Sequence, residues 1–210
     1  KTKELQNKAL ELSLFLSLPA SFSLMVGSEQ ITSALFGYGS FDQLTVSNSA
    51  KALFYFSFGL PAFSLIKIFS TFLFARNDTK TPFKYSLISV ILNIIISLTF
   101  FSQIGFIIIP IATTISSWFN GLILLVFVIN KNYFKFSSNF IKQIAKIIFS
   151  NIITIFIFYI LINILGTNLD YENNYKFIFI ILIVLLTFVS YIGFSIIIKA
   201  FKISDINLKY

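Results

Sequence analysis

With 210 residues, 57% of them hydrophobic and only 11% charged, and a mean hydropathy of +0.88, the chain is too apolar for water to be its main solvent. The absence of Cys and His excludes disulfides, thiolate chemistry, imidazole acid–base work and the commonest zinc sites. The net charge of +8 is scattered between apolar runs, which argues for membrane topology and against a nucleic-acid partner.

The first eight residues are a charged lead-in with neither an initiator Met nor a signal-peptide pattern, as expected of a piece of a longer chain. Stretches of about 20 mostly apolar residues follow, each long enough to span a bilayer as a helix. The first, residues 10–36, carries Ser13, Ser17, Ser21 and Ser28 at three- and four-residue multiples, hence on one helical face. The second, 52–75, does the same with Ser57, Ser64, Lys67 and Thr71 around a Gly59-Leu60-Pro61 break. The third, 83–101, carries Ser86, Ser89, Asn93 and Ser97. Only Ser102-Gln103-Ile104 separates it from the fourth, 104–129, so these two must form an antiparallel pair. The fourth places Thr113, Ser116, Ser117 and Asn120 just after Pro110. The fifth, 144–165, and the sixth, 177–200, are nearly unbroken Ile, Leu and Phe and read as lipid-facing on most sides. The expected fold is an all-α polytopic transmembrane bundle of about six helices.

Basic residues test this layout, because Lys and Arg gather on the cytoplasmic side of a membrane protein. Assigning loops alternately puts Lys1, Lys3, Lys8, Arg76, Lys80, Lys84, Lys131, Lys135, Lys142, Lys146, Lys199, Lys202 and Lys209 on one side. Only Lys51 and Lys176 fall on the other, with Lys67 inside a span. Both ends of the chain are therefore expected in the cytoplasm, and segments 37–49 and 166–176 outside. Tyr38, Phe41, Tyr133, Phe134, Tyr171 and Tyr175 suit an interfacial aromatic belt or ordinary loop packing.

A single Ser/Thr stripe reads equally as a helix-packing seam with hydroxyls bonded to their own backbone. Four stripes in one chain point instead to a shared wet interior. Lys67 adds to this, since an intramembrane Lys is unfavourable by about 2.5–3.5 kcal/mol unless it meets a cavity or a partner. It either snorkels toward the surface or lines a cavity and meets an anionic group, making Lys67, Ser57, Ser64, Thr71 and Asn93 the candidate substrate-cavity set. Pro61 and Pro110 are expected to free backbone carbonyls at membrane depth. Those before Pro110, with Asn93, Ser97 and Thr113, form a candidate small-cation site, against the commoner reading of a proline kink repaired by Ser or Thr.

Three stretches resemble the MurJ (MviN) family of bacterial lipid II flippases. Leu18-Pro19-Ala20, followed by Phe36-Gly37-Tyr38-Gly39-Ser40-Phe41-Asp42, is similar to that family's LPA span and LF-x-x-G-x-FD outer loop. Residues 59–68, reading GLPAFSLIKI, resemble its GLPAF-x-x-x-KV helix. Phe74-Ala75-Arg76-Asn77-Asp78-Thr79-Lys80-Thr81-Pro82 resembles its FYAR-x-DT-x-TP loop. This makes Gly39, Phe41, Asp42, Arg76, Asp78, Thr79, Thr81 and Pro82 motif-loop residues, and matches Lys67 to the Lys of the second motif.

The resemblance implies a fragment from the C-terminal part of a multidrug/oligosaccharidyl-lipid/polysaccharide exporter fold, whose two lobes enclose a cationic cavity. Residues 1–143 would be the four-helix part of the C-terminal transport lobe, and 144–210 two appended helices that help form a lipid-tail groove, with a cytoplasmic tail. The implied partners are lipid II or a similar polyprenyl-pyrophosphate-linked sugar, membrane lipids, and an N-terminal lobe bearing the family's cavity arginines. The implied location is the bacterial inner membrane. Some members are thought to hold sodium on helices matching the third and fourth here. Asn93 and Thr113 fit that arrangement, whereas Ser97 stands where an acid is expected, so no cofactor is assigned.

The leading expectation is a flippase working by alternating access. The alternatives are a related exporter of other lipid-linked oligosaccharides or of drugs, and a non-transporting scaffold for cell-wall enzymes. An enzyme is disfavoured, because the acids lie in loops and tails apart from Glu11 and Glu29 near the ends of the first span.

Overall fold

In hydrocarbon every backbone N–H and C=O must be satisfied within the protein, which sequence of this apolar pattern achieves by coiling on itself. The computed structural model describes residues 2–200, and among these it contains α-helices, two short 3₁₀ turns and no strand. The helices are α1 (Thr2–Val26), α2 (Ser28–Phe36), α3 (Gln43–Ser57), α4 (Leu60–Phe74), α5 (Lys80–Ile104), α6 (Ile108–Asn130), α7 (Ser138–Ile164) and α8 (Lys176–Ile197). Lys1, Lys202 and Lys209 of the basic tally lie outside the described residues.

Four helical stretches are long and apolar enough to cross a membrane: Lys3–Val26, Lys80–Asn130, Ser138–Ile164 and Lys176–Ile197. A fifth is the pair α3–α4, bent by 41°. This differs from the expected count of about six because Lys80–Asn130 is one continuous helical stretch. It nevertheless reverses at Gly105, which ends α5 with φ of +72°, so that Asn93 and Thr113 meet across the fold. The expected antiparallel pair is therefore present, with its turn at residues 105–107.

The first expected span is two helices. Gly27 separates α1 from α2, and a Cβ there would stand 2.8 Å from both Cε1 and Cζ of the Phe158 ring. Phe158 is fully buried among Ala34, Ile162 and Ile183 and has nowhere to retreat. We expect Gly27→Ala to destabilise the protein by about 1–3 kcal/mol through overpacking, measured by unfolding in detergent, and a smaller side chain at position 158 to recover part of the loss.

The second expected span starts earlier than the hydropathy suggests. Asp42 caps α3 by accepting the Thr45 amide at 2.8 Å, so a polar half-helix precedes the apolar one.

Helix ends and prolines explain much of the interhelical bonding. A proline inside a helix cannot donate to the carbonyl four residues back. Pro61 stands in the first turn of α4, so it is the end of α3 that leaves the Ser57 carbonyl unpaired, and Ser21 of α1 donates to it at 2.6 Å. At the same bend Thr114 of α6 donates to the Tyr55 carbonyl at 2.7 Å, and the Trp118 indole to that of Phe58 at 2.9 Å. Pro19, inside α1, frees the Phe15 carbonyl, which takes the Tyr191 hydroxyl of α8 at 2.8 Å. Pro110 departs from expectation. It stands in the first turn of α6, where a missing N–H leaves no helical carbonyl unpaired, so it supplies no mid-span carbonyls for a cation.

Two further expectations are made specific. Phe134 is no belt residue; it is 2% exposed, inside a cluster with Leu10, Phe69, Phe72 and Leu124 that ties α1, α4 and α6 together. Helices α7 and α8 expose apolar side chains on most sides, as expected, and carry one inward polar seam. Ser150, Asn151, Thr154, Thr187 and Ser195 are buried, and the pair packs on α1 and α2.

Candidate functional site

The serine and asparagine stripes of α5 and α6 meet where these helices run side by side. Ser86, Ser89 and Asn93 from α5 face Thr113, Ser116, Ser117 and Asn120 from α6, with Phe63 and Ile66 of α4 closing one side. The pocket holds about 370 Å³, room for on the order of ten waters at ~30 Å³ each.

Part of its hydrogen-bonding capacity is used internally. Thr113 and Ser117 donate back to the Ile109 and Thr113 carbonyls, and Ser89 to that of Tyr85. Across the pocket the Asn93 amide donates to the Thr113 hydroxyl at 3.0 Å and to that of Ser116 at 3.4 Å, and the Asn120 amide to Ser86 at 3.3 Å. Asn120 Oδ1 and the Ser97 hydroxyl are buried without a partner. The result is a cleft whose polar side chains are all neutral, with the Asn120 Oδ1 left as a free acceptor.

That chemistry suits a sodium ion poorly. Asn93 turns its nitrogen toward Thr113, the Thr113 hydroxyl is engaged with the Ile109 carbonyl, and Ser97 brings no negative charge. The structure thus brings Asn93 and Thr113 together without forming an anionic cation site.

The other expected cavity residues divide. Ser57 is 1% exposed at the end of α3, donating to the Leu53 carbonyl, away from the α5–α6 pocket. Ser64 is half-buried on α4. Lys67 lies one turn along α4 from Phe63 and is exposed, as is Thr71, whose hydroxyl donates to the Lys67 carbonyl at 2.8 Å. Among the described residues the Lys67 ammonium has no hydrogen bond or ion pair.

The motif loops prove to be caps and turns. Gly39 adopts φ of +59°, a left-handed conformation that favours glycine. The Thr45 hydroxyl, then its amide, hold the Asp42 carboxyl below the usual carboxylate range; Thr81 does the same for Asp78, its amide reaching Asp78 at 3.0 Å at the start of α5. Thr79 is the residue preceding α5, and Pro82 is buried in its first turn. Arg76 closes α4 by donating to the Phe72 carbonyl at 2.9 Å and lies 4.7 Å over the Tyr133 ring.

Residues 1–198 match the family model described as "Lipid II flippase MurJ". The chain belongs to the MurJ lipid II flippase family. It is 38% identical over 118 residues to a probable lipid II flippase MurJ of Rickettsia prowazekii, covering 56% of this chain and 23% of that protein. It is 41% identical over 120 residues to the probable MurJ of Rhizobium meliloti, covering 57% and 22%. Among solved structures it superposes on a lipid II flippase MurJ in an inward closed conformation with a TM-score of 0.77 and 28% identity, over 94% of this chain and 39% of that one. The chain thus spans less than a quarter of these two curated relatives.

Two features of this MurJ-family chain go beyond what the sequence reading specified, which expected a groove at the appended helices without naming its walls. The first is an apolar groove of about 350 Å³ between α1 and α8, walled by Leu16, Pro19, Leu24, Val184 and Phe188 over Thr154, Thr187 and Tyr191. The second is Lys176, which the sequence reading treated only as one of two basic residues on the outer side. It is 1% exposed, its ammonium donating to the Gly37 and Tyr171 carbonyls and lying 4.5 Å and 4.4 Å over the Tyr38 and Tyr171 rings. With the Tyr171 hydroxyl on the Phe41 carbonyl at 2.8 Å, it fastens the α2–α3 loop to the α7–α8 loop. The three aromatic and basic residues were visible in sequence, but only as belt and charge.

Proposed function

We propose that the chain is the C-terminal share of a flippase that carries lipid II, or a similar polyprenyl-pyrophosphate-linked sugar, across the bacterial inner membrane by alternating access. The observation that carries this reading is the α4–α5–α6 pocket. Seven hydroxyl and amide side chains face one another there, on helices whose remaining faces are apolar. A sugar–pyrophosphate head leaving water needs such groups to replace its hydration, while the prenyl chain stays in an apolar groove such as that between α1 and α8.

Lys67, exposed on α4, supplies positive charge to the pyrophosphate. The bias of basic residues supports cytoplasmic placement of both ends of the fragment.

Replacing Lys67 with Ala in the full-length protein tests the reading. Loss of one charge-assisted contact, worth about 1.5–3 kcal/mol, should slow lipid II translocation roughly tenfold to a hundredfold at unchanged membrane abundance, with Lys67→Arg close to wild type. An undiminished rate removes Lys67 from the mechanism. Cysteines at positions 64 and 93 should also react with a water-soluble thiol reagent in at least one state. A scaffold with a dry interior would leave both unmodified.

A further inference from the structure

The α4–α5–α6 pocket offers a sugar and a pyrophosphate different things. Most of its donor hydrogens are spent inside the protein. The Ser89, Thr113 and Ser117 hydroxyls donate to carbonyls of their own helices, and the Asn93 amide nitrogen donates to Thr113 and Ser116 across the pocket. What remains is acceptor capacity. Asn93 lines the pocket half-buried, and its Oδ1 takes no hydrogen bond among the described residues. Among the described residues no charged side chain lines the space. A pyrophosphate is anionic and brings only acceptors, so this wall would leave it dehydrated and unpaired. A sugar is uncharged and brings a ring of hydroxyl donors, which free amide and hydroxyl oxygens accept. An ammonium would find the same acceptors but no carboxylate to balance its charge.

We propose that this pocket holds the first sugar ring of the lipid-linked head, while the pyrophosphate stays outside it at Lys67. The assignment rests on the flippase reading above and divides that substrate between two subsites. Phe63 and Lys67 are four residues apart on α4, hence on one face and roughly 6 Å apart along the axis. The Phe63 ring is 42% exposed and offers a flat apolar surface to the C–H face of a pyranose. A ring laid against it carries its anomeric phosphate toward the Lys67 ammonium. At about 370 Å³ the space lies near the lower end of small-ligand sites, roughly 300–1,000 Å³. It suits one ring and not a chain of them.

The test measures binding of two lipids to the full-length protein in nanodiscs: a polyprenyl pyrophosphate without sugar, and the same lipid bearing one N-acetylhexosamine. The sugar-bearing lipid should bind about tenfold to a hundredfold tighter. Asn93→Leu should remove about tenfold of that preference by weakening the sugar-bearing lipid alone. Phe63→Leu, at an exposed position, should narrow the preference about threefold. Lys67→Ala should weaken both lipids by the same factor. Unfolding temperature in detergent checks each variant, and Phe63→Leu carries the test should Asn93→Leu not fold. Equal affinity for the two lipids, or pocket variants that weaken both lipids alike, would overturn the sugar assignment and leave the flippase reading in place. Binding of neither lipid would overturn both.

Discussion

Replacing Lys176 with Met should lower the stability of the protein by about 2–4 kcal/mol and loosen both loops at that end of the bundle. Two opposed effects set the size. Burying an ammonium is unfavourable by several kcal/mol, and Met, which keeps the apolar stem, relieves that. Against it, Met leaves the Gly37 and Tyr171 carbonyls without their donor, at about 1–3 kcal/mol each, and removes two cation–π contacts worth about 0.5–2 kcal/mol each. Among the described residues Lys176 has no carboxylate partner, so these carbonyls and rings are what hold the charge in place. The losses outweigh the relief. Lys176→Arg should rescue incompletely, since a longer guanidinium brings five donors into a buried site where two carbonyls accept. Unfolding in detergent gives the magnitude, and amide exchange over residues 37–42 and 166–175 gives the place. Stability unchanged within about 0.5 kcal/mol would mean that desolvation of the charge offsets its bonds, leaving the Tyr171–Phe41 bond to hold the loops.

The same residue shows where sequence reading stops. Span existence was readable because about 20 apolar residues in a row admit few alternatives, and the polar stripes were readable because Ser86, Ser89 and Asn93 recur at helical spacing. Helix ends were less so. The start of α3 had a local signal, Asp42 three residues before Thr45, hidden by the polar run from Gln43 to Lys51. The break at Gly27 has no local signal at all, because its cause is the Phe158 ring on another helix. Ser57 and Ser64 fall on one face by counting, yet the bend at Gly59 puts Ser57 in an interhelical seam. Pro61 and Pro110 were read as sources of free carbonyls, yet both stand in the first turn of a helix, and it is Pro19, inside α1, that opens one. The donors that satisfy such carbonyls come from distant helices and could not be named from spacing.

Pro19 and Tyr191 make that point measurable. The Tyr191 hydroxyl reaches the Phe15 carbonyl at 2.8 Å from 176 residues away, and that carbonyl is available because Pro19 has no N–H to offer it. Tyr191→Phe keeps the ring contact with Phe15, whose centroids lie 4.8 Å apart, and deletes only the hydroxyl. At 1% exposure water cannot replace it, so the expected loss is about 1–3 kcal/mol. Pro19→Ala restores an N–H that returns the Phe15 carbonyl to the helix, and in that background Tyr191→Phe should cost less than 1 kcal/mol, roughly. The difference between the two backgrounds, about 1–2 kcal/mol, is the coupling between α1 and α8 through one carbonyl. Additive losses in this double-mutant cycle would show that Tyr191 holds α8 by its ring alone. A coupled loss would establish that the proline of the LPA motif anchors the appended helix by opening a backbone acceptor for it.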